Sequence, residues 1–385
     1  MRVCDLIAML GGLFVSLHGM AQEANLSSAD QNLALGKSWS VVKEFPQKSF
    51  PHSVPAGNYS GITHLHDDVY AVVSDKSDST LYFKFRIQID LETGELQQVE
   101  NLGGVGSVVG KWRFSVGQGR DKGFDLEAIA KVSDSTLVVA SEGKSCLKEF
   151  YIDTNAHDQV LIKEASGLWE WDVPSDVFYP NYGFESLAYD PVSKRLWTMP
   201  ESTLRQDGQS ATSLNGCKNQ LRLMSFDRRG ALGHFSLSAV YPYLMDAPTV
   251  RKNAQTYAMG VSEVCVLPDE QLLVLEREAF VPRKKLGAFC HCKLYVVNPK
   301  ADAQEVADAL KEKMDSSTHF LPKTLLVEWK TTLSLLGRSF ANYEGMCLGP
   351  VLKDGSQVLI LLADSQNQYA GVLKDWFKTI VIRQK

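Results

Sequence analysis

The chain is poor in the residues that usually announce a hydrolase. It has no G-x-S-x-G elbow, no H-E-x-x-H pair, no P-loop and no Arg-His-Gly segment, which argues against a serine-elbow esterase, a zincin, a P-loop phosphotransferase and a phosphohistidine phosphatase. Its eight histidines show no repeat; His64 and His66 alternate on one strand face and read as ordinary strand residues. Basic excess is missing too: the net charge is -5 over 385 residues, so nucleic acid is not an expected partner. Long apolar runs are confined to the N-terminus, which leaves no expectation of a stable membrane span.

That N-terminus, "MRVCDLIAMLGGLFVSLHGMAQEAN", has Arg2, an apolar stretch from Leu6 to Leu17, and small residues Gly19 and Ala21 ahead of Gln22. The pattern is that of a secretory signal over residues 1–21, followed by one exported domain over 22–385, periplasmic or secreted and expected to act as a monomer. Cleavage removes Cys4 and leaves Cys146, Cys217, Cys265, Cys290, Cys292 and Cys347. In an oxidising compartment these admit disulfides in several pairings, or buried thiols. "CHC" at 290–292 lacks the second pair that a structural zinc site requires.

What the chain has is a repeat. Five segments run from a small or acidic start through an apolar strand, a polar turn and a second apolar strand to an acidic or polar end. They begin at Tyr59, Phe124, Gly183, Gly260 and Asn342, and their hallmark positions Gly61, Glu127, Glu185, Glu263 and Glu344 are 66, 58, 78 and 81 residues apart. A third run rich in β-branched and aromatic residues follows each, such as "TLYFKFRIQID" and "QLRLMSFD". Four-stranded meanders at this interval predict an all-β fold, a β-propeller with five blades counted. A sixth blade could lie near residues 108–117, and "SWSVVKEF" at 38–45 is placed to supply the outer strand of the fifth blade and close the ring. Two β-sandwiches would explain the alternation but not the repeated acidic start. Residues 301–314, with Val306, Leu310 and Met314 at helical spacing, predict a short helix.

The first two strands of a blade are antiparallel, so the start of one and the end of the next share an end of the hairpin. This places Glu127 near Glu142, Glu185 near Glu201, Glu263 near Glu276 and Glu278, and Glu344 near Asp364, with Asp75 from the first unit, all on one rim of the axial channel. Carboxylates so gathered raise one another's pKa unless something positive joins them. A hard cation with oxygen ligands, calcium above all, fits that demand. Asp75, Glu127, Glu142, Glu185, Glu263, Glu344 and Asp364 are the candidate metal ligands; Glu127, Glu185 and Glu201 are the candidates for positioning or activating water. Lys144, Arg205 and Arg277, beside the acids, are the candidate anion-binding groups. The bland alternative is that the acids accept backbone N–H bonds and staple blade to blade.

In their order these short motifs resemble the phytase-like family described by an esterase-like activity. The resemblance is carried by Ser60-Gly61-Ile62 with Ser74-Asp75, Glu127-Ala128-Ile129 with Ser141-Glu142-Gly143, Gly183-Phe184-Glu185 with Glu201 and Gln206-Asp207-Gly208, Leu273 to Arg277, and Asn342 to Met346 with Asp364-Ser365-Gln366. It departs from the family pattern at Glu263, where Asp is expected, and at "ADSQN", which replaces an Asn-rich ending. The resemblance implies hydrolysis of an ester or phosphate ester. A noncatalytic propeller binding a cationic ligand, glycan or protein, and a lactonase-like propeller using a divalent ion, are the other readings.

Overall fold

The computed structural model describes residues 38–75, 80–105, 125–143, 145–152, 162–163, 169–228, 230, 233–300, 313–334, 338–369 and 372–385. The signal segment, the stretch at 108–117, Lys144 and residues 301–312 of the expected helix lie outside these. Among the described residues the chain forms five antiparallel sheets in sequence order, each ordered from an inner to an outer strand. This is a five-bladed β-propeller.

The inner strands are Tyr59–His66, Leu126–Lys131, Phe184–Asp190, Thr256–Val266 and Asn342–Val351. They pack against one another in a closed cycle, each touching the inner strands of the blades before and after. The approach is close enough that a Cβ on Gly345 would sit 2.3 Å from the Ser60 carbonyl oxygen, so a side chain there would push two blades apart. The second strands, Val69–Ser74, Thr136–Ser141, Arg195–Pro200, Leu272–Val281 and Gln357–Asp364, are buried on both faces. That is why they read as near-continuous apolar runs such as "LLVL" and "VLILLA".

Five apolar clusters form the core, one at each junction between blades. Between blades 5 and 1 lie Ile62, Val72, Phe85, Ile360 and Phe377. Leu126, Ile129, Val73 and Val139 join blades 1 and 2, while Ala128, Val138, Phe184, Leu196 and Phe226 join 2 and 3. The remaining two junctions hold Leu223, Val261 and Val274, and then Leu275, Leu294, Leu359 and Ile380. Because every blade buries both faces against neighbours, the ring is stable only when closed. Closure comes from Trp39–Glu44, which pairs antiparallel with Trp376–Gln384 in the fifth blade, as in Val41 opposite Ile382. No helix among the described residues is long and apolar enough to cross a membrane.

Among the described residues Cys265, Cys290, Cys292 and Cys347 are buried free thiols, Cys217 is a partly exposed one, and Cys146 is buried. Strand alternation explains the fate of "CHC": Cys290 and Cys292 share one face with their sulfurs 3.7 Å apart, and His291 points the other way to Glu328, 3.1 Å away. The three side chains do not converge on one ion.

Candidate functional site

At the rim end each inner strand carries a bulge. Pairing with the second strand slips between Leu126 and Ala128, between Phe184 and Ser186, between Val261 and Glu263, and between Tyr343 and Gly345. In blade 1 the slip lies between Tyr59 and Ile62. The unpaired residues are therefore Glu127, Glu185, Ser262, Glu344 and the Ser60-Gly61 pair. A bulge frees a side chain from the pleat and re-aims it; here Glu127, Glu185, Glu344 and Ser60 meet at the rim, while Ser262 Oγ donates to the Leu275 carbonyl at 3.5 Å.

This register corrects the sequence alignment in blade 4. Ser262, not Glu263, is the counterpart of Glu127 and Glu185, and one residue of slip reverses the face a side chain takes. Glu263 lies deeper, where it accepts the N–H groups of Leu187 and Val264, each at 3.0 Å. It is absent from the rim groupings described next.

Glu127, Glu142 and Glu185 each place a carboxylate oxygen within 4.8 Å of the other two, and Asp75, Asp125 and Glu127 do the same. Glu127 belongs to both trios. Ser60 Oγ orients it, donating to Glu127 Oε2 at 3.0 Å and to its carbonyl at 2.8 Å. Glu142 Oε1 accepts the Gly183 N–H at 3.0 Å, which fixes the end of blade 2 against the start of blade 3. Asp125 was not among the sequence candidates. It precedes the strand in the left-handed region at φ 46, a conformation that Asp adopts more readily than most residues, and this turns its carboxylate toward Asp75.

Glu201 and Glu344 share a guanidinium. Arg277 Nη2 donates to Glu201 Oε1 at 2.9 Å, and Nη1 to Glu344 Oε1 and to Asn342 Oδ1, both at 2.6 Å. Arg277 is thus a buried counter-ion to the rim acids. Its sequence neighbours Glu276 and Glu278 face away by strand alternation: Glu276 meets Tyr243 and Lys323, and Glu278 meets Thr249 and Tyr257. Asp364 stands opposite Asn342 and caps its own turn, accepting the Gln366 N–H at 2.7 Å, with Glu344 near enough to feel its charge.

Arg205 does not join this group. It is exposed, donates through Nε to the Phe178 carbonyl at 2.5 Å and lies over the Tyr179 ring at 5.0 Å. Asp207, of the Gln-Asp-Gly motif, is structural: it holds Arg222 in a two-pronged ion pair at 2.7 and 2.8 Å, with both side chains fully buried. Replacing Asp207 with Asn strands the Arg222 charge, so chemical denaturation should show a loss of about 3–5 kcal/mol. An unchanged midpoint would contradict the assignment.

Among the described residues the rim gathers Asp75, Asp125, Glu127, Glu142, Glu185, Glu201, Glu344 and Asp364 around the single guanidinium of Arg277. Burial, reinforced by neighbouring carboxylates, pushes the Glu127 and Glu185 carboxyls well above the usual range, and burial does the same to Glu344 despite Arg277. Burial also raises Glu142 to about 7, the Gly183 N–H partly opposing it. Burial raises Tyr182 to about 12, with Glu201, Arg277 and Glu142 as its charged neighbours. Sequence reasoning gave no role to this tyrosine, whose place beside the rim follows from the turn before Glu185.

An all-oxygen donor set, mostly buried and mutually repelling, matches a hard divalent cation better than a soft one. It also fixes a pH dependence. Between about pH 4.3 and pH 7 the folded protein keeps a proton on Glu142 that the unfolded chain has released. This group's contribution to the stability of metal-free protein is therefore fully present below that window and is lost as pH rises through it. The loss is on the order of 2 kcal/mol for this group, after allowance for its partial exposure. Melting of chelated protein at pH 5 and pH 7.5 should show the drop, and calcium at pH 7.5 should reverse it.

Several solved structures match the chain at low similarity. A GH43_1 enzyme from Xanthomonas citri shares 9% identity, with 90% of each chain covered and a TM-score of 0.39. An auxiliary nutrient binding protein from Bacteroides thetaiotaomicron shares 9%, with 91% of this chain and 78% of that chain covered, at 0.29. The extracellular domains 1-2 of Drosophila Semaphorin 1b share 8%, with 90% and 81% covered, at 0.28. At such identities and scores no functional argument follows. No curated protein matches the chain. Residues 54–366, which include all five inner strands and every rim acid, match the phytase-like family, described as the esterase-like activity of phytase. By that match, over most of its length, the chain belongs to the phytase-like family.

Proposed function

We propose that this protein is an exported hydrolase of phosphate esters or related esters, with calcium held by the axial acids. The observation that carries the reading is the pair of carboxylate trios sharing Glu127. Asp75, Asp125 and Glu127 would hold one ion, and Glu127, Glu142 and Glu185 a second or the same one at an adjacent position. Bound calcium supplies positive charge that attracts an anionic ester oxygen and lowers the pKa of water. The residues of the chain do the rest. Glu142, with its carboxyl near neutrality, is suited to accept or return a proton at working pH. Glu201 and Glu344, clamped by Arg277, position the rim around it. Ser60 keeps Glu127 turned inward. Lys144, next to this rim in the chain, is a candidate to meet substrate anion, together with Arg277, which lies at the rim between Glu201 and Glu344; Arg205 is held by the Phe178 carbonyl and the Tyr179 ring. Export rests on the charged-then-apolar pattern of residues 1–21.

The direct test is a panel of p-nitrophenyl phosphate, p-nitrophenyl acetate and a γ-lactone, assayed with calcium and with chelator. Turnover of the phosphate ester that chelator abolishes is the expected result, with Glu142→Gln lowering kcat by about 10²–10⁴. Calcium-independent turnover, or turnover of the lactone alone, would replace the phosphoesterase reading. Calcium stabilisation with no turnover would leave a binding propeller.

A further inference from the structure

The end of the channel opposite the acids opens into a chamber. The inner strands start at the rim and run down to a cavity of about 660 Å³ whose walls come from all five blades, with Leu65, Val132, Leu187, Val266 and Leu348 among them. At its lip Val192 is 80% exposed to water, so the mouth is open on the side of blade 3.

The charges around this mouth are already answered. Asp134 pairs with Lys131 at 2.8 Å, and Lys131 also donates to the Leu65 carbonyl at 2.6 Å. Glu270 pairs with Lys300. Asp190 closes its own turn, accepting the Val192 N–H at 2.9 Å and the Ser193 hydroxyl at 2.5 Å. His64 is bonded to the Asp67 carbonyl at 2.9 Å. What remains is apolar wall in contact with water, and an uncharged apolar occupant is the kind that gains by covering it.

The chain itself brings such an occupant to the lip. Blade 4 contributes Leu267, Pro268 and Glu270 to the cavity. Asp269, between the last two, anchors the N-terminal strand: its Oδ2 accepts Trp39 Nε1 at 3.1 Å and Gln384 Nε2 at 2.5 Å. The Ser38 carbonyl is fixed in turn by the Lys385 N–H at 2.8 Å. The residues ahead of Ser38, which lie outside the described ones, therefore depart from the ring beside the chamber's mouth. They read "QNLALGK" over 31–37, with no charge before Lys37 and with Leu33 and Leu35 two apart, the spacing that puts both on one side of an extended chain. Five extended residues reach up to about 17 Å, farther than a compact cavity of this volume is wide.

We infer that the lower chamber is the docking site of the chain's own N-terminal segment, with Leu33 and Leu35 seated on Val192, Val266 and Leu348. The segment closes the end of the channel opposite the acids. Its docking is independent of the chemistry at the rim, because the carboxylates that would hold calcium lie at the other end of the inner strands.

The test uses the full mature chain, residues 22–385, with p-benzoylphenylalanine incorporated in place of Leu35. Irradiation followed by peptide mass spectrometry should give cross-links within one chain to the segments that hold Val192, Val266 and Leu348. The neutral fluorophore N-phenyl-1-naphthylamine, which brightens on open apolar surface, supplies a second readout on chain without the photoreactive group. A tethered occupant competes at an effective concentration that reaches roughly millimolar for a short linker, so Leu33→Asp combined with Leu35→Asp should tighten dye binding at least about tenfold. The calcium-dependent melting shift should be the same in both proteins. Absence of cross-links to the chamber segments, or cross-links formed only between two chains, overturns the assignment. Equal dye binding by the wild type and the double variant does so too, since the chamber would then be open to a diffusible ligand.

Discussion

Glu127→Gln is expected to weaken calcium binding at least about 100-fold, beyond the usual effect of altering an outer-shell partner, and to raise the melting temperature of the metal-free protein. The two effects have one cause. Glu127 is common to both trios, so replacing one oxygen with an amide removes charge and a ligand atom from each. The same charge is what burial and the surrounding Glu344, Asp75 and Glu142 disfavour when no cation is present. Glutamine keeps the shape and can still accept the Ser60 hydroxyl. Relief of repulsion should therefore add on the order of 1 kcal/mol at pH 7.5 in chelator. A blade-to-blade staple predicts the reverse pair of results, lower stability and an unchanged calcium shift. Calcium titration calorimetry and melting curves on the same variant distinguish them.

Arg277→Met should cost about 3–5 kcal/mol at neutral pH. The side chain spans Glu201 and Glu344, both buried, and methionine offers similar volume without the donors. Two carboxylates from different blades would then face each other without their counter-ion. Because those acids can take protons, most of the loss should return at pH 5, and denaturant midpoints at the two pH values measure the difference. A loss equal at both pH values would mean that Arg277 matters through packing alone.

These expectations show which parts of the molecule were legible in its residues. The blade count, the order of strands and the closing role of residues 38–45 follow from a period that local apolar patterning makes visible, and the ring of inner strands bears it out. Which acids meet is set by finer features. A bulge occupies one residue and leaves no mark in composition, so Glu263 looked like the partner of Glu185 although Ser262 holds that place. Asp125 reaches the rim through a left-handed backbone conformation that no periodicity signals. Arg205 seemed close because it is close in sequence to Glu201, yet an aromatic ring and a carbonyl hold it elsewhere. Arg277 was identified as a cation at the rim, but its partners come from blades 3 and 5, contacts that only the closed ring creates.

The repeated pattern of paired acids thus has two physical outcomes in one fold. At bulge positions the acids converge on the axis, where their repulsion calls for a cation. One residue further along, in blade 4, the same residue type satisfies backbone N–H groups and braces the ring. The most direct measurement of the central claim is calorimetric titration of calcium into chelator-stripped mature protein at pH 7.5. The account predicts saturable binding of one or two ions per chain with Kd below about 100 μM; no saturable binding would contradict it.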